Sequence, residues 1–164
     1  MDWVLAILVF LHVIGAIVAF GPTFAFPIIG AMGGKEPQHV NFALRVNHAI
    51  ERRMTLPLAV LQGITGVAIV WIGHYDVTKL WLGLGIVLYL IALGVAYFVA
   101  DANIKKLVEA TNAPPPPPAP GSPPPSGPPP HIAALIKKQQ QTGMLLAVLL
   151  VAIIFLMSAK PFSA

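Results

Sequence analysis

The chain has 164 residues, of which 57% are hydrophobic and 10% are charged, and its mean hydropathy is +0.80. A soluble domain carries about 25% charged residues, so this composition excludes an ordinary soluble protein and indicates that most of the chain lies in a bilayer. The net charge of +4 does not predict a nucleic-acid partner, because the basic residues flank apolar segments and membrane topology accounts for them. The chain has no cysteine, which excludes disulfides and cysteine-ligated metal or iron–sulfur sites.

Four apolar segments are each about long enough to cross a membrane. A crossing takes about 20 mostly apolar residues, because a helix rises ~1.5 Å per residue through a hydrocarbon layer of ~30 Å. The stretches without any Asp, Glu, Lys or Arg are 3–20, 54–73, 80–100 and 143–159. We therefore predict one integral membrane domain over residues 1–164, in contact with the lipid bilayer, with crossings at residues 3–30, 54–74, 80–101 and 142–159.

The ten Lys and Arg residues predict the orientation of these crossings. Eight of them lie in the two long connections, which join the first crossing to the second and the third to the fourth: Lys35, Arg45, Arg52, Arg53, Lys105, Lys106, Lys137 and Lys138. Only Lys79 and Lys160 lie on the other side. Because cytoplasmic loops carry the excess of basic residues, we expect both termini outside. Trp3, Trp71 and Trp81 at the outer ends agree with this orientation, since tryptophan favours the membrane interface.

Helical periodicity continues beyond the membrane in both long connections. The helix-compatible stretches are 38–54, 101–111 and 132–142. Residues 114–130 are rich in proline, which removes backbone donors and fixes φ, so they are expected to form a polyproline-II-like tether. The expected fold is all-α: a four-transmembrane-helix antiparallel bundle with cytoplasmic helical extensions and a proline-rich loop between the third and fourth helices. Small residues are expected at the helix contacts, namely Gly15, Ala59, Gly63, Gly66, Gly85 and Gly94.

His12 is the main candidate for a functional residue inside the membrane. It lies ~13 Å from the outer end of the first helix, and ionisable groups at such depth are often functional. Thr65 on the second helix and Tyr89 on the third lie at the same depth, and Gln62 is one turn from Thr65. The favoured interpretation is structural: a neutral His12 bonds one of these side chains and fixes the helix register. The alternative is a ligand of haem b, or a redox or proton-relay residue near a quinone.

A polar, basic stripe ahead of the second crossing is the second candidate site. Asn41, Arg45, His48 and Arg52 recur at helical spacing on one face, and Glu51 is expected to pair locally with a basic neighbour. Guanidinium groups suit phosphate and carboxylate, so the stripe is a candidate site for an anionic lipid headgroup, haem propionates or a partner subunit. The favoured interpretation is that these residues are positive-inside membrane anchors on a solvated helix face. No metal site is expected, because the five methionines are scattered.

Residues 10–22 (FLHVIGAIVAFGP), with Arg45, Arg52 and Arg53 after them, resemble an uncharacterised family of bacterial predicted integral membrane proteins that contain a domain of unknown function. This resemblance covers most of the chain and implies a multi-pass protein of the bacterial cytoplasmic (inner) membrane. More distantly, the Leu11-His12 pair is similar to that of HemJ-type protoporphyrinogen oxidases and of CopD-like copper-resistance proteins. The HemJ resemblance implies a haem-related role for His12. That family also uses a lysine in a later membrane helix, and residues 80–100 contain none.

These observations leave three functional hypotheses. The leading one is a non-enzymatic structural or accessory subunit of a membrane complex, with other membrane proteins as partners. The second is a membrane redox protein that binds haem b at His12. The third is a small carrier or a copper-handling protein.

Overall fold

A computed structural model describes residues 3–112 and 127–161. Most of these residues are helical and none lies in a strand, which confirms the all-α prediction. Four helices are long and apolar enough to span a membrane: α1 (Trp3–Lys35), α2 (Val40–Ile72), α3 (Leu80–Ala110) and α4 (Pro130–Ala159). Helices of 30 to 33 residues are ~45–50 Å long, which exceeds the ~30 Å hydrocarbon layer. The surplus length carries most of the basic residues, and this end of the molecule is called the basic end.

Three of the long helices change their hydrogen-bonding pattern part-way along. The segments in chain order are regular helix Trp3–Phe20, a 3₁₀ turn Gly21–Ala25, regular helix Phe26–Lys35, a 3₁₀ turn Pro37–His39, regular helix Val40–Ile50, a π turn Glu51–Thr55, regular helices Leu56–Ile72 and Leu80–Gly94, a π turn Val95–Ala100, and regular helices Asp101–Ala110 and Pro130–Ala159. Proline explains two of these changes, because it has no N–H to donate. Pro22 lies in the first 3₁₀ turn, and Pro57 leaves the Arg53 carbonyl without its usual donor beside the first π turn.

The four helices form two antiparallel pairs. α1 packs along α2, and α3 packs along α4, whereas the apolar parts of α2 and α3 touch sparingly. The two pairs meet mainly at the basic end, where segment Val40–Ile50 of α2 lies against segment Asp101–Ala110 of α3. α1 and α4 have little or no contact with each other. The described part of the molecule is therefore an open arrangement, joined most firmly at one end.

Glycines permit the closest approaches between helices. A Cβ at Gly63 would lie 2.5 Å from the Tyr89 hydroxyl, and a Cβ at Gly15 would lie 2.8 Å from Gln62 Oε1. Gly94, which was expected at a helix contact, has no such neighbour within 4 Å. That expectation is wrong because Gly94 faces open space rather than an adjacent helix.

The end opposite the basic end has its own packed cluster. Trp81, Leu82 and Leu156 are buried together and hold α3 against α4. The Lys160 ammonium lies 5.4 Å from the centre of the Trp81 ring and 5.6 Å from that of Tyr75, within the range of a cation–π interaction. Trp81 therefore packs between α3 and α4, in addition to lying at the tryptophan-rich end of the bundle.

The predicted helical extensions are present in the structure. The stretch before the second crossing is helical from Val40, the stretch after the third is helical to Ala110, and α4 begins at Pro130, well before its apolar part. Of the predicted proline-rich loop, residues 114–126 lie outside the described residues.

Replacing Gly63 with valine is expected to destabilise the contact between α2 and α3. The new side chain would displace Tyr89, whose hydroxyl donates a 2.9 Å hydrogen bond to the Ala59 carbonyl. Overpacking of this kind costs about 1–3 kcal/mol, which should lower the midpoint of thermal unfolding in detergent. Gly143→Val is the matched control, because a Cβ at Gly143 meets no atom within 4 Å. Equal losses in the two variants would contradict the proposed role of this contact.

Candidate functional site

The structure places His12 of α1 against Thr65 of α2. The His12 Nδ1 atom lies 2.8 Å from Thr65 Oγ1. A Cβ at Gly66 would lie 3.5 Å from His12 Cε1, so the ring fits against a position without a side chain. This is the kind of interhelical bond that the structural interpretation of His12 requires.

The hydroxyl of Thr65 indicates which His12 nitrogen carries the hydrogen. Thr65 Oγ1 lies 3.0 Å from the Leu61 carbonyl and 3.1 Å from the Gln62 carbonyl, and it can donate to either. When the hydroxyl donates its one hydrogen to either carbonyl, its oxygen accepts from the Nδ1–H of a neutral imidazole. The Nε2 atom then keeps its lone pair, and no hydrogen bond to it is present within residues 3–112 and 127–161.

Tyr89 and Gln62 lie near this pair without bonding His12. The Tyr89 hydroxyl donates to the Ala59 carbonyl at 2.9 Å, which ties α3 to α2. Gln62 is buried, with its Oε1 against Gly15. Each of the polar residues predicted at this depth thus contacts a neighbouring helix, either between α1 and α2 or between α2 and α3.

The residues of the predicted basic stripe do not share one role. Asn41 Nδ2 donates to the Val108 carbonyl at 2.9 Å and to Thr111 Oγ1 at 3.0 Å, so Asn41 joins the two helix pairs. Arg45 is exposed, and within the described residues it has no ion pair and no side-chain hydrogen bond. In the structure, therefore, Asn41 is a packing residue and Arg45 faces solvent.

A buried carboxylate, Asp101, collects three basic groups at the basic end. Its side chain is 4% exposed, and its oxygens lie 2.7 Å from Lys105 Nζ, 3.4 Å from Arg52 Nη1 and 3.3 Å from His48 Nε2. A buried charge is costly unless it is paired, and these contacts provide the pairing. Because His48 and Arg52 belong to α2 while Asp101 and Lys105 belong to α3, this Asp101 cluster also clamps the helix pairs together.

The local pairing expected for Glu51 is wrong. Glu51 is buried, because it begins the π turn of α2 and faces the interior. It forms no ion pair with any described residue and interacts at longer range with Asp101, Arg52 and Lys105. The Asp101 cluster was not predicted from the sequence, although one signal was present. Lys105 follows Asp101 by four residues, the spacing that puts two side chains on the same helix face.

An open groove of about 640 Å³ lies beside the Asp101 cluster. Its lining includes Arg45, His48, Arg52 and Arg53, together with Phe42 and Val108. Asn41 of the predicted stripe does not line the groove, whereas Arg53, which is outside the stripe, does. Guanidinium groups can donate paired hydrogen bonds to a phosphate or a carboxylate, and this groove brings three of them to one wall.

Comparison with known proteins identifies a family of membrane proteins. The family model described as predicted integral membrane protein (DUF2269) matches residues 6–161. No curated protein and no solved structure matches the chain. The match includes nearly all of the four long helices and agrees with a multi-pass membrane protein. The more distant likeness to HemJ-type and CopD-like proteins stays a prediction.

The hydrogen bond between His12 and Thr65 is expected to contribute measurably to stability. A double-mutant cycle of His12→Ala and Thr65→Val in detergent should give a coupling free energy of about 0.6 kcal/mol, with ~1.7 kcal/mol as an upper bound for such bonds in membranes. The matched pair is His12→Ala with Thr142→Val, since Thr142 is a buried threonine on another helix, and its coupling should be near zero. A coupling near zero for His12 and Thr65 would show that the bond does not hold the helices together.

Proposed function

The chain belongs to the DUF2269 family of predicted integral membrane proteins, and we propose that it is a non-enzymatic accessory subunit of a membrane complex. Its four helices would provide a scaffold in the bilayer, against which the helices of partner subunits pack. The contacts of His12, Thr65, Gln62 and Tyr89 are structural in this proposal, since each joins one helix of the chain to another.

The open pairing of the helices is the observation that carries the proposal. Each outer helix, α1 or α4, packs along a single neighbour, so most of its circumference faces outward. Ile17 on α1 is 60% exposed and Val151 on α4 is 58% exposed. Membrane helices associate by close van der Waals packing rather than by hydrophobic exclusion from water, and two open apolar sides offer that packing to helices of other proteins.

The orientation belongs to the same proposal. The basic end would face the cytoplasm of a bacterial cell and both termini would lie outside, in the cytoplasmic membrane. Eight of the ten Lys and Arg residues lie in the two connections at this end, which is the distribution of the positive-inside rule. Trp71 at the other end is 79% exposed, as expected for an anchor at the membrane interface.

Photocrosslinking in native membranes tests the subunit role. Photoreactive residues at positions 17 and 151 are expected to trap a membrane protein of discrete mass, which should also co-purify in a fixed ratio in mild detergent. Position 77 is the matched control, because Val77 is 53% exposed but lies in the turn outside the apolar segments. Recovery of a monomer with only lipid attached would contradict the proposal, and so would crosslinks to a second copy of this chain alone.

A second candidate function, haem b binding, is favoured by the hydrogen bonding of His12. Thr65 holds the Nδ1–H, which leaves the Nε2 lone pair available. Histidines that ligate metals commonly have their other nitrogen held in this way. In this candidate function His12 would hold the haem through Nε2, Thr65 would orient the ring, and bound haem would supply one-electron redox chemistry. Carrier or copper-handling activity stays a prediction.

The visible spectrum separates this candidate from the structural role. Protein purified from a haem-replete host is expected to show a Soret band and a reduced α-band if His12 binds haem. His12→Ala should abolish both bands, and the matched control His131→Ala should keep them, because His131 lies near the start of α4 at the basic end. A featureless spectrum of the wild-type protein would exclude haem binding under these conditions and leave His12 with its structural bond.

A further inference from the structure

Two neighbouring hollows at the basic end share a wall residue, Arg52. The groove beside the Asp101 cluster has a volume of about 640 Å³, and a second hollow of about 300 Å³ lies between α2 and α3. Arg52 lines both. The two hollows therefore follow one another along α2, with a basic part at the helix extension and an apolar part toward the membrane.

The basic part has positive charge that the described residues leave without an ion pair. Arg52 and His48 contact Asp101, but Arg45 and Arg53 are exposed and form no ion pair with any residue in the described part of the chain. Both line the groove. Two unpaired guanidinium groups beside a third that is already anchored form a site of suitable charge for a phosphate group.

The second hollow has the character of a slot for a hydrocarbon chain. Beyond Arg52 it is lined by Leu56, Pro57, Val60, Leu93 and Tyr97, none of which is charged. Val60 lies eight residues after Arg52, so the slot runs ~12 Å along the helix axis into the apolar segment. Val60 and Tyr97 are each about half exposed, at 51% and 52%, which leaves the slot open to the bilayer.

The two π turns border this slot from opposite sides. Glu51–Thr55 carries Arg52 and Arg53, and Val95–Ala100 carries Tyr97. π turns are rare in proteins, and those that occur often lie at functional sites. Here they widen two facing helices at the level where the basic groove meets the apolar segment.

We propose that this composite groove binds one anionic glycerophospholipid, with its phosphate at Arg45, Arg52 and Arg53 and an acyl chain in the slot that ends at Val60 and Leu93. A lipid matches both parts at once, since its anionic and apolar portions are covalently joined at the membrane boundary. A soluble anion would contact only the basic part. An acidic protein segment would not occupy a slot that opens to the hydrocarbon of the bilayer. The proposal does not depend on the accessory role or on haem.

Native mass spectrometry of delipidated protein in mild nonionic detergent tests this site. Dioleoyl phosphatidylglycerol is expected to bind in a 1:1 complex and more tightly than dioleoyl phosphatidylcholine. Arg45→Gln with Arg53→Gln should weaken phosphatidylglycerol binding about 30-fold, at ~1 kcal/mol per basic residue near the lipid surface. The matched control, Lys137→Gln with Lys138→Gln, removes the same charge outside the groove and should weaken binding less than threefold.

A second variant tests the slot without changing charge. Val60→Trp should fill the apolar hollow and weaken phosphatidylglycerol binding at least tenfold, and this arm decides the question if the arginine variant fails to fold. Inorganic phosphate at millimolar concentration should not displace the lipid. The proposal is overturned if the lysine control loses as much affinity as the arginine variant, if Val60→Trp binds like the wild type, or if free phosphate competes.

Discussion

The ion cluster around Asp101 is the contact on which the arrangement of the two helix pairs depends. Inside the apolar segments α2 and α3 touch sparingly, so the relative position of the pairs is fixed chiefly at the basic end. There the Asp101 carboxylate of α3 receives Arg52 and His48 from α2 and Lys105 from its own helix. Asn41 adds a hydrogen bond from α2 to the Val108 carbonyl on α3. Because the acidic group is buried and the basic groups are partly exposed, the attraction is less screened than that of a surface pair.

Within the membrane, neutral polar groups fix the helices against one another. Lipid offers no hydrogen bonds, so a buried polar side chain must find its partner within the protein. His12 Nδ1 bonds Thr65, and the Tyr89 hydroxyl donates to a backbone carbonyl of α2. Each of these bonds joins neighbouring helices in the chain order α1, α2, α3, and the outer faces of the bundle are left to apolar side chains. The polar residues thus set the order and register of the helices without placing a charge in the hydrocarbon.

The four crossings and their helical extensions could be predicted because apolar length and helical spacing are local properties of the sequence. The depth of His12 and Thr65 could also be predicted, since a straight helix has a fixed rise per residue. The Asp101 cluster could not, because it depends on how one helix pair lies against the other. Glu51 was expected to pair with a basic neighbour, but it is buried at the start of a π turn and forms no ion pair with any described residue. Asn41 shared the spacing of the arginines, but its partner on α3 is 67 residues away.

The basic residues at this end fall into two groups that topology alone does not distinguish. The positive-inside rule depends only on the number of basic residues on each side of the membrane. By that rule Arg45 and Arg52 are equivalent. In the structure Arg52 is held by Asp101, whereas Arg45 and Arg53 flank it at the wall of the groove and have no acidic partner among the described residues. A guanidinium that only anchors a helix gains nothing from a neighbouring apolar slot. Arg52, which lines both hollows, is placed where a charge and a hydrocarbon chain would have to meet, and this position explains why the composite groove suits a lipid better than a soluble anion.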